Sequence, residues 1–266
     1  MKHKPKSRKK LSQLLANWPT GMVAVHSWLQ KHGVSRLLAN YYHKAGWVHR
    51  IGRGAYARLE DKVDWTGGLH AIQYQMGCPV HVGGKRALEL QGYAHFLRMR
   101  EGGAVRLYAP RGTRLPQWLR RYDWGINFAY TAANLFAGKT ETGLTEKAVG
   151  DFSIRLSAPE RAMLELLNDV PNSQSFEESR LLMGGLATLR PDLTQTLLEA
   201  CRSVKAKRLF LFLAEEAGHA WVKQLDLKRV YLGKGKRSII KGGHFDPKYQ
   251  ITVGPRSEPK SLSEIP

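Results

Sequence analysis

The first fifty-nine residues contain no aspartate or glutamate; the first acid is Glu60. That absence excludes a carboxylate metal site, or a carboxylate acid–base pair, in this segment. Cysteine is scarce as well. Cys78 and Cys201 are the two in 266 residues, and they are too far apart in sequence for a metal-ligand spacing. A disulfide framework is thereby excluded, and reduced thiols in the cytoplasm are expected. Long apolar runs are missing: the longest, Leu209 to Ala214, is about a third of a membrane span. No membrane partner is expected. The basic start is followed by Ser12, Gln13 and Asn17 rather than an apolar core, so no secretory leader is expected. Long internal repeats and low-complexity tracts are also lacking.

What is present is positive charge, unevenly placed. Residues 1–59 hold 12 basic residues, residues 60–200 hold 16 basic and 16 acidic, and residues 201–266 hold 14 basic and 6 acidic. The centre is neutral and both ends are loaded. A charge serving only solubility has no reason to be distributed this way, so a polyanionic partner is expected. The length suits a small and a medium domain.

The acid-free segment reads as a basic arm, three helices and a hairpin. Six of residues 1–10 are Lys or Arg, and such a run buries no apolar surface, so a flexible arm is expected there. Leu11, Leu14, Leu15 and Trp18 recur at helical spacing up to Pro19 and Gly21. Val25, Trp28, Leu29 and His32 mark a second helix, stopped at Gly33. Ser35 is placed to cap a third. On that helix Leu38, Tyr41, Tyr42 and Ala45 form the predicted inward stripe, and Arg36, Asn40, His43 and Lys44 the outward one. The outward stripe carries no carboxylate. Arg pairs with guanine, Asn with adenine, and Lys suits phosphate. The short gap between the second and third helices is that of a helix-turn-helix. Trp47–Ile51 and Ala55–Leu59 then flank Gly52-Arg53-Gly54 as strands of a wing. Its tip would offer Arg53, with Arg50 and Arg58 nearby. The candidate DNA-binding residues are therefore Ser35, Arg36, Asn40, His43, Lys44, Arg50, Arg53 and Arg58.

No catalytic constellation is found. Gly52-x-Gly54-x-x-Ala57 matches a loose dinucleotide fingerprint, but a strand follows it where a helix is required. Gly235-Lys236-Arg237-Ser238 lacks the upstream glycine of a phosphate-binding loop. Gly83-Gly84 is followed by no Asp-x-Asp, so the metal-holding carboxylates of a nucleotidyltransferase are missing. His26, His32, His43 and His49 have no ligand spacing with cysteine. Catalytic residues, metal and cofactor are all expected to be absent.

Past Asp64-Trp65-Thr66-Gly67-Gly68, which is expected to be the hinge at 64/65, strands and helices mix. Thr66–Met76, Lys85–Gln91, Gln117–Tyr122, Phe176–Met183, Leu193–Cys201 and Lys205–Leu225 read as helices. Pro79–Val82, Val105–Ala109 and Ile251–Gly254 read as strands. Ser157 and Glu160 are placed as a capping box ahead of Met163, Leu164, Leu166 and Leu167. The end of the chain reads as a basic hairpin, Lys228–Leu232 and Arg237–Lys241 around the Gly233–Lys236 turn. Lys228, Arg229, Lys234, Lys236, Arg237 and Lys241 make it a candidate second basic surface. The expected fold class is α+β: a winged helix-turn-helix over residues 1–64 and a larger mixed domain over residues 65–266.

The run from Gly33-Val34-Ser35-Arg36 through Tyr42-His43-Lys44-Ala45-Gly46-Trp47 to Gly52-Arg53-Gly54-Ala55-Tyr56 resembles the winged-helix domain of the AbiEi antitoxin family. The stretch from Pro79 to His95 is similar to that family's Gly-Gly-x-x-Ala-Leu-x-Leu-x-Gly-x-x-His pattern. Leu115-Pro116-Gln117-Trp118-Leu119 and Gly233-Lys234-Gly235-Lys236-Arg237 extend the resemblance to most of the chain. It implies a transcriptional autorepressor of a type IV toxin–antitoxin operon, binding inverted repeats in double-stranded operator DNA. It also implies that the carboxy-terminal domain counteracts a nucleotidyltransferase toxin without a stable complex. A monomer is expected rather than an obligate oligomer, and no enzyme. The competing readings are a nucleotidyltransferase-like enzyme with a DNA-binding head and an RNA-binding protein.

Overall fold

The computed structural model describes residues 4–93 and 104–254, with side chains from Lys10 onward. Ala94 and His95 of the resembling stretch lie outside the described residues. In chain order the helices are α1 (Lys4–Ala16), α2 (His26–Lys31), α3 (Arg36–Lys44), α4 (Trp65–His70), α5 (Gly84–Leu90), α6 (Gln117–Arg121), α7 (Pro159–Asn168), α8 (Phe176–Gly184), α9 (Pro191–Ala200) and α10 (Val204–Glu216). The strands are β1 (Ala24–Val25), β2 (Val48–Gly52), β3 (Ala55–Arg58), β4 (His81–Val82), β5 (Val105–Ala109), β6 (Phe128–Ala132), β7 (Leu144–Val149), β8 (Phe152–Ser157), β9 (Arg237–Ser238), β10 (His244–Asp246) and β11 (Ile251–Val253). The class is α+β, as expected.

The chain forms two compact units. The first comprises Met1–Val82, Met99–Ala133 and Leu144–Leu156; the second comprises Gly83–Arg98, Asn134–Gly143 and Ser157–Pro266. These bounds differ from the expected division at 64/65. Asp64 is not at a hinge between the two units. Its carboxylate caps α4, accepting from the amides of Thr66 and Gly67, and α4 stays in the first unit.

The first unit opens with a winged helix-turn-helix. Helix α1 starts at Lys4, inside the run expected to be an arm. Lys and Arg are good helix formers, and Leu11 and Leu14 anchor the helix to a core. That core gathers Leu11, Leu14, Trp18, Leu29, Val34, Ala39, Tyr42, Val48 and Tyr56. Strands β1, β3 and β2 form an antiparallel sheet in that order. After α4 the helix widens into a π turn over Ala71–Gln75. This turn aims Gln75 at β1, where it accepts from Val25 N and donates to Val23 O, both at 2.8 Å. A side-chain amide thus stands in for a neighbouring strand and satisfies a buried edge. The unit also holds the five-stranded sheet, ordered β6-β5-β4-β8-β7. The buried amide of Gln73 crosses beneath it, bonding Val80 O, Arg155 O and Arg155 N.

The second unit is built around α7, whose residues Glu160 to Leu167 are all buried. Ser157 does not cap it. The cap position is Ala158, and no side chain fills the role. Ser157 ends β8 instead, and its hydroxyl donates to Glu165 at 2.7 Å. Glu160 accepts from Arg190 at 2.9 Å. The expected box is absent because both members have stronger partners in tertiary contact. Helix α10 stops at Glu216, short of the expected Leu225. Gly218 takes φ +71° and Ala220–Gln224 continues as a 3-10 turn.

Candidate nucleic-acid interface

Helix α3 is held at both ends. The Ser35 hydroxyl accepts from Leu38 N at 3.2 Å, the capping expected from the sequence. His43 and Lys44 fall in the last turn, where cations favour the helix dipole. Ala39 and Tyr42 are buried and Leu38 is half-buried. The inward stripe is thus rotated from the expected one. Tyr41 is 51% exposed and Ala45 is exposed. Four exposed side chains, Arg36, Asn40, His43 and Lys44, share the outer surface with Leu37, which is 83% exposed. Leu37 and Tyr41 are one turn apart, an apolar pair on a polar face that the stripe assignment passed over.

Two outward side chains are aimed by the wing. The Tyr56 hydroxyl donates to Asn40 Oδ1 at 3.2 Å, leaving the Nδ2 hydrogens for a partner. His43 Nδ1 lies 3.3 Å from Val48 O, a contact in which that ring nitrogen donates. The Tyr42 hydroxyl is held above its usual range by burial, with Tyr41 adding to the effect, so it stays a neutral core group.

The wing forms from β2 and β3 around Gly52-Arg53-Gly54, with a register shift between Arg50 and Gly52. Gly54 has φ +77°, a conformation that a side chain resists. At Gly52 a Cβ would sit 2.5 Å from Trp118 Cβ, so only glycine lets β2 lie against α6. Arg50 and Arg53 are exposed, and Arg50 Nε reaches only the neighbouring Gly52 O. Arg58 is not brought to this surface. Its Nη1 donates to Trp18 O at 3.1 Å and its Nε lies 3.6 Å from Asp61. A counter-ion three residues on and the Trp18 carbonyl engage this half-buried side chain.

The second basic cluster is organised differently from the expected hairpin. Residues Leu227–Arg229 form a 3-10 turn. Arg237–Ser238 pairs in parallel with β11, and Lys228–Leu232 forms no strand. The segment is shaped from within by Arg208, which is 2% exposed. Its guanidinium donates to the carbonyls of Leu232, Gly233, Gly235 and Gln250 at 2.7–3.2 Å. Five donors in a planar fork collect the carbonyls of a glycine loop better than strand pairing would. Lys228, Arg229, Lys234, Lys236, Arg237 and Lys241 are all exposed. Arg229 is paired with Glu199 at 2.9 Å, and Lys236 lies over the Phe245 ring.

Among the described residues no group of three His, Cys, Asp or Glu side chains could hold a metal. Gly83 and Gly84 form the turn into α5, and Gly84 N points at buried Glu165. Burial pushes the Cys201 thiol up to about 11, which suppresses its thiolate. Among the described residues no helix is long and apolar enough to cross a membrane.

Two family models cover this architecture in succession. Residues 7–99 match "Transcriptional regulator, AbiEi antitoxin N-terminal domain", and residues 102–254 match "Transcriptional regulator, AbiEi antitoxin, Type IV TA system". The chain belongs to the AbiEi antitoxin family. Transcriptional regulation in a type IV toxin–antitoxin system is the role described for that family. No curated protein matches the chain. The crystal structure of RV2827C protein from Mycobacterium tuberculosis is similar in fold, with a TM-score of 0.62 at 15% identity, covering 94% of this chain and 92% of that one.

Proposed function

We propose that this AbiEi-family protein represses its own operon by reading operator DNA with α3 and gripping the backbone with the wing. The observation that carries this reading is the presentation of Arg36 and Asn40 on a capped helix whose outer face holds no acid, beside Arg50 and Arg53. Arg36 and Asn40 supply base-edge contacts, while Lys44, Arg50 and Arg53 supply phosphate contacts. Inverted repeats fit two copies placed on opposite halves of one site. Fluorescence anisotropy with the protein's own promoter and a scrambled duplex of equal length, at moderate salt, tests the reading. Tighter binding to the promoter supports it; equal affinity for the two duplexes would overturn it.

The second half of the reading is antitoxic. The six exposed cations of the late loop offer a surface for nucleic acid or nucleotide, through which the chain counters a nucleotidyltransferase toxin without a stable complex. Reversing Lys234, Lys236 and Arg237 to Glu in the full chain is expected to abolish growth rescue while leaving promoter binding intact. Undiminished rescue by that folded variant would remove the surface from the account.

A further inference from the structure

Beside the wing, the first unit contains a cavity of about 740 Å³. It lies between the wing tip, the start of α2 and α6. The size is within the ~300–1,000 Å³ of small-molecule sites. Ile51, Trp118 and Tyr122 give it apolar and aromatic walls. His26, Arg53 and Arg121 line it as well, against one acid, Asp123. Asp123 accepts from Gly125 N at 2.9 Å through one of its two oxygens. Arg53 and Arg121 are exposed, and neither has an ion pair among the described residues. Gly52 lies so close to Trp118 that a Cβ there would come within 2.5 Å of the Trp118 Cβ. Trp118 and Trp124 pack edge to face at 6.4 Å, and Tyr122 and Trp124 lie 4.6 Å apart.

Two unpaired guanidiniums beside aromatic walls select a ligand with an anionic group and a planar ring. Guanidinium forks match phosphate oxygens in geometry as well as charge. Aromatic side chains offer stacking and apolar contact to a base. We propose that this cavity binds a nucleoside phosphate, with Arg121 and Arg53 on the phosphate and Trp118 and Tyr122 against the base. Because Arg53 also serves the wing, a bound nucleotide withdraws it from DNA and lowers operator affinity. This regulatory consequence rests on the DNA reading above; the binding itself does not.

The test is calorimetric titration of the full chain with each ribonucleoside mono- and triphosphate. Adenosine supplies the ring without charge, and inorganic phosphate supplies charge without the ring. At least one nucleotide should saturate, with adenosine and phosphate about tenfold or more weaker. Arg121→Glu, at an exposed position, should lose about tenfold in nucleotide affinity with an unchanged melting curve. Lys62→Glu, at an exposed position that does not line the cavity, should retain binding, which separates loss of Arg121 from a general change of surface charge. Absence of saturation by every nucleotide up to about 10 mM would overturn the proposal. Unchanged binding by Arg121→Glu, or phosphate alone binding as tightly as the nucleotide, would do the same. Operator binding is then measured with and without the nucleotide. A drop in affinity that Arg121→Glu abolishes supports the regulatory half, and an unaltered affinity refutes it. A protein that binds nucleotide but no DNA sequence would instead count against the operator reading alone.

Discussion

With Tyr56 donating to Oδ1, Asn40 keeps its amide hydrogens as donors. Purine N7, guanine O6 and thymine O4 are the acceptors it would meet in a major groove. Replacing Arg36 or Asn40 by Ala is expected to cost about 1–3 kcal/mol on the operator and to relax base preference at one position. Tyr56→Phe keeps the buried ring but releases Asn40. The expected result is a loss of about 0.5–1.5 kcal/mol of discrimination at the Asn40 base, with affinity for scrambled DNA unchanged. Binding to single-base operator variants checks both. Ser35 was legible in the sequence as the cap of α3, and Arg36 and Asn40 as exposed, because capping and helical facing depend on residue type at short spacing. Tyr56 was not legible as the partner of Asn40. The two residues are 16 apart, and only the pairing of β1, β3 and β2 brings them together. The bond from Arg58 to Trp18 was hidden for the same reason: it spans 40 residues.

At the scale of elements, the wing and the late loop place their cations by different means. The wing presents Arg53 on a two-stranded turn, so Arg53→Ala should weaken binding to all sequences alike and reduce the salt slope by about one. Anisotropy titrations at several salt concentrations read this directly. The late loop depends on Arg208. Arg208→Met removes the fork and leaves the carbonyls of Leu232, Gly233, Gly235 and Gln250 short of a donor. A loss of about 3 kcal/mol or more in urea denaturation is expected. In α7, burial pushes the Glu160 carboxyl up, but the bonds from Arg190 outweigh it and hold the group below its usual range. A carboxylate held low stabilises the fold above its unfolded pKa, and that stability is lost as pH falls through the lowered value. The urea midpoint is therefore expected to fall from about pH 5 downward, less steeply in Glu160→Gln. The helices were largely legible because their apolar spacing is local. Strands β6, β7 and β8 were not expected. Their faces are only partly buried, so alternation is faint in β6 and β7, and β8 pairs with β4, 74 residues earlier at Val82–Leu156.

For the whole molecule, the division at residue 64 is the expectation that changes most. A fragment of residues 65–266 removes the partners of Gln75 and Trp118 and cuts the first unit through its middle. It is expected to bind hydrophobic dye and to melt without a sharp transition, whereas the full chain melts cooperatively. Dye fluorescence and calorimetry distinguish the two. Charge counting found the two basic ends, because formal charge is independent of fold. It could not assign them to compact units, since that depends on which distant segments pair.

The path of the backbone between those units matters during synthesis. The chain passes out of the first unit after Val82, re-enters at Met99, leaves after Ala133, re-enters at Leu144 and departs again at Leu156. A ribosome that has released only the helix-turn-helix has released an incomplete body, because β8, which lies between β4 and β7 in the sheet, is made last. Premature termination or proteolysis before residue 156 therefore leaves the first unit without the complete strand that joins β4 to β7.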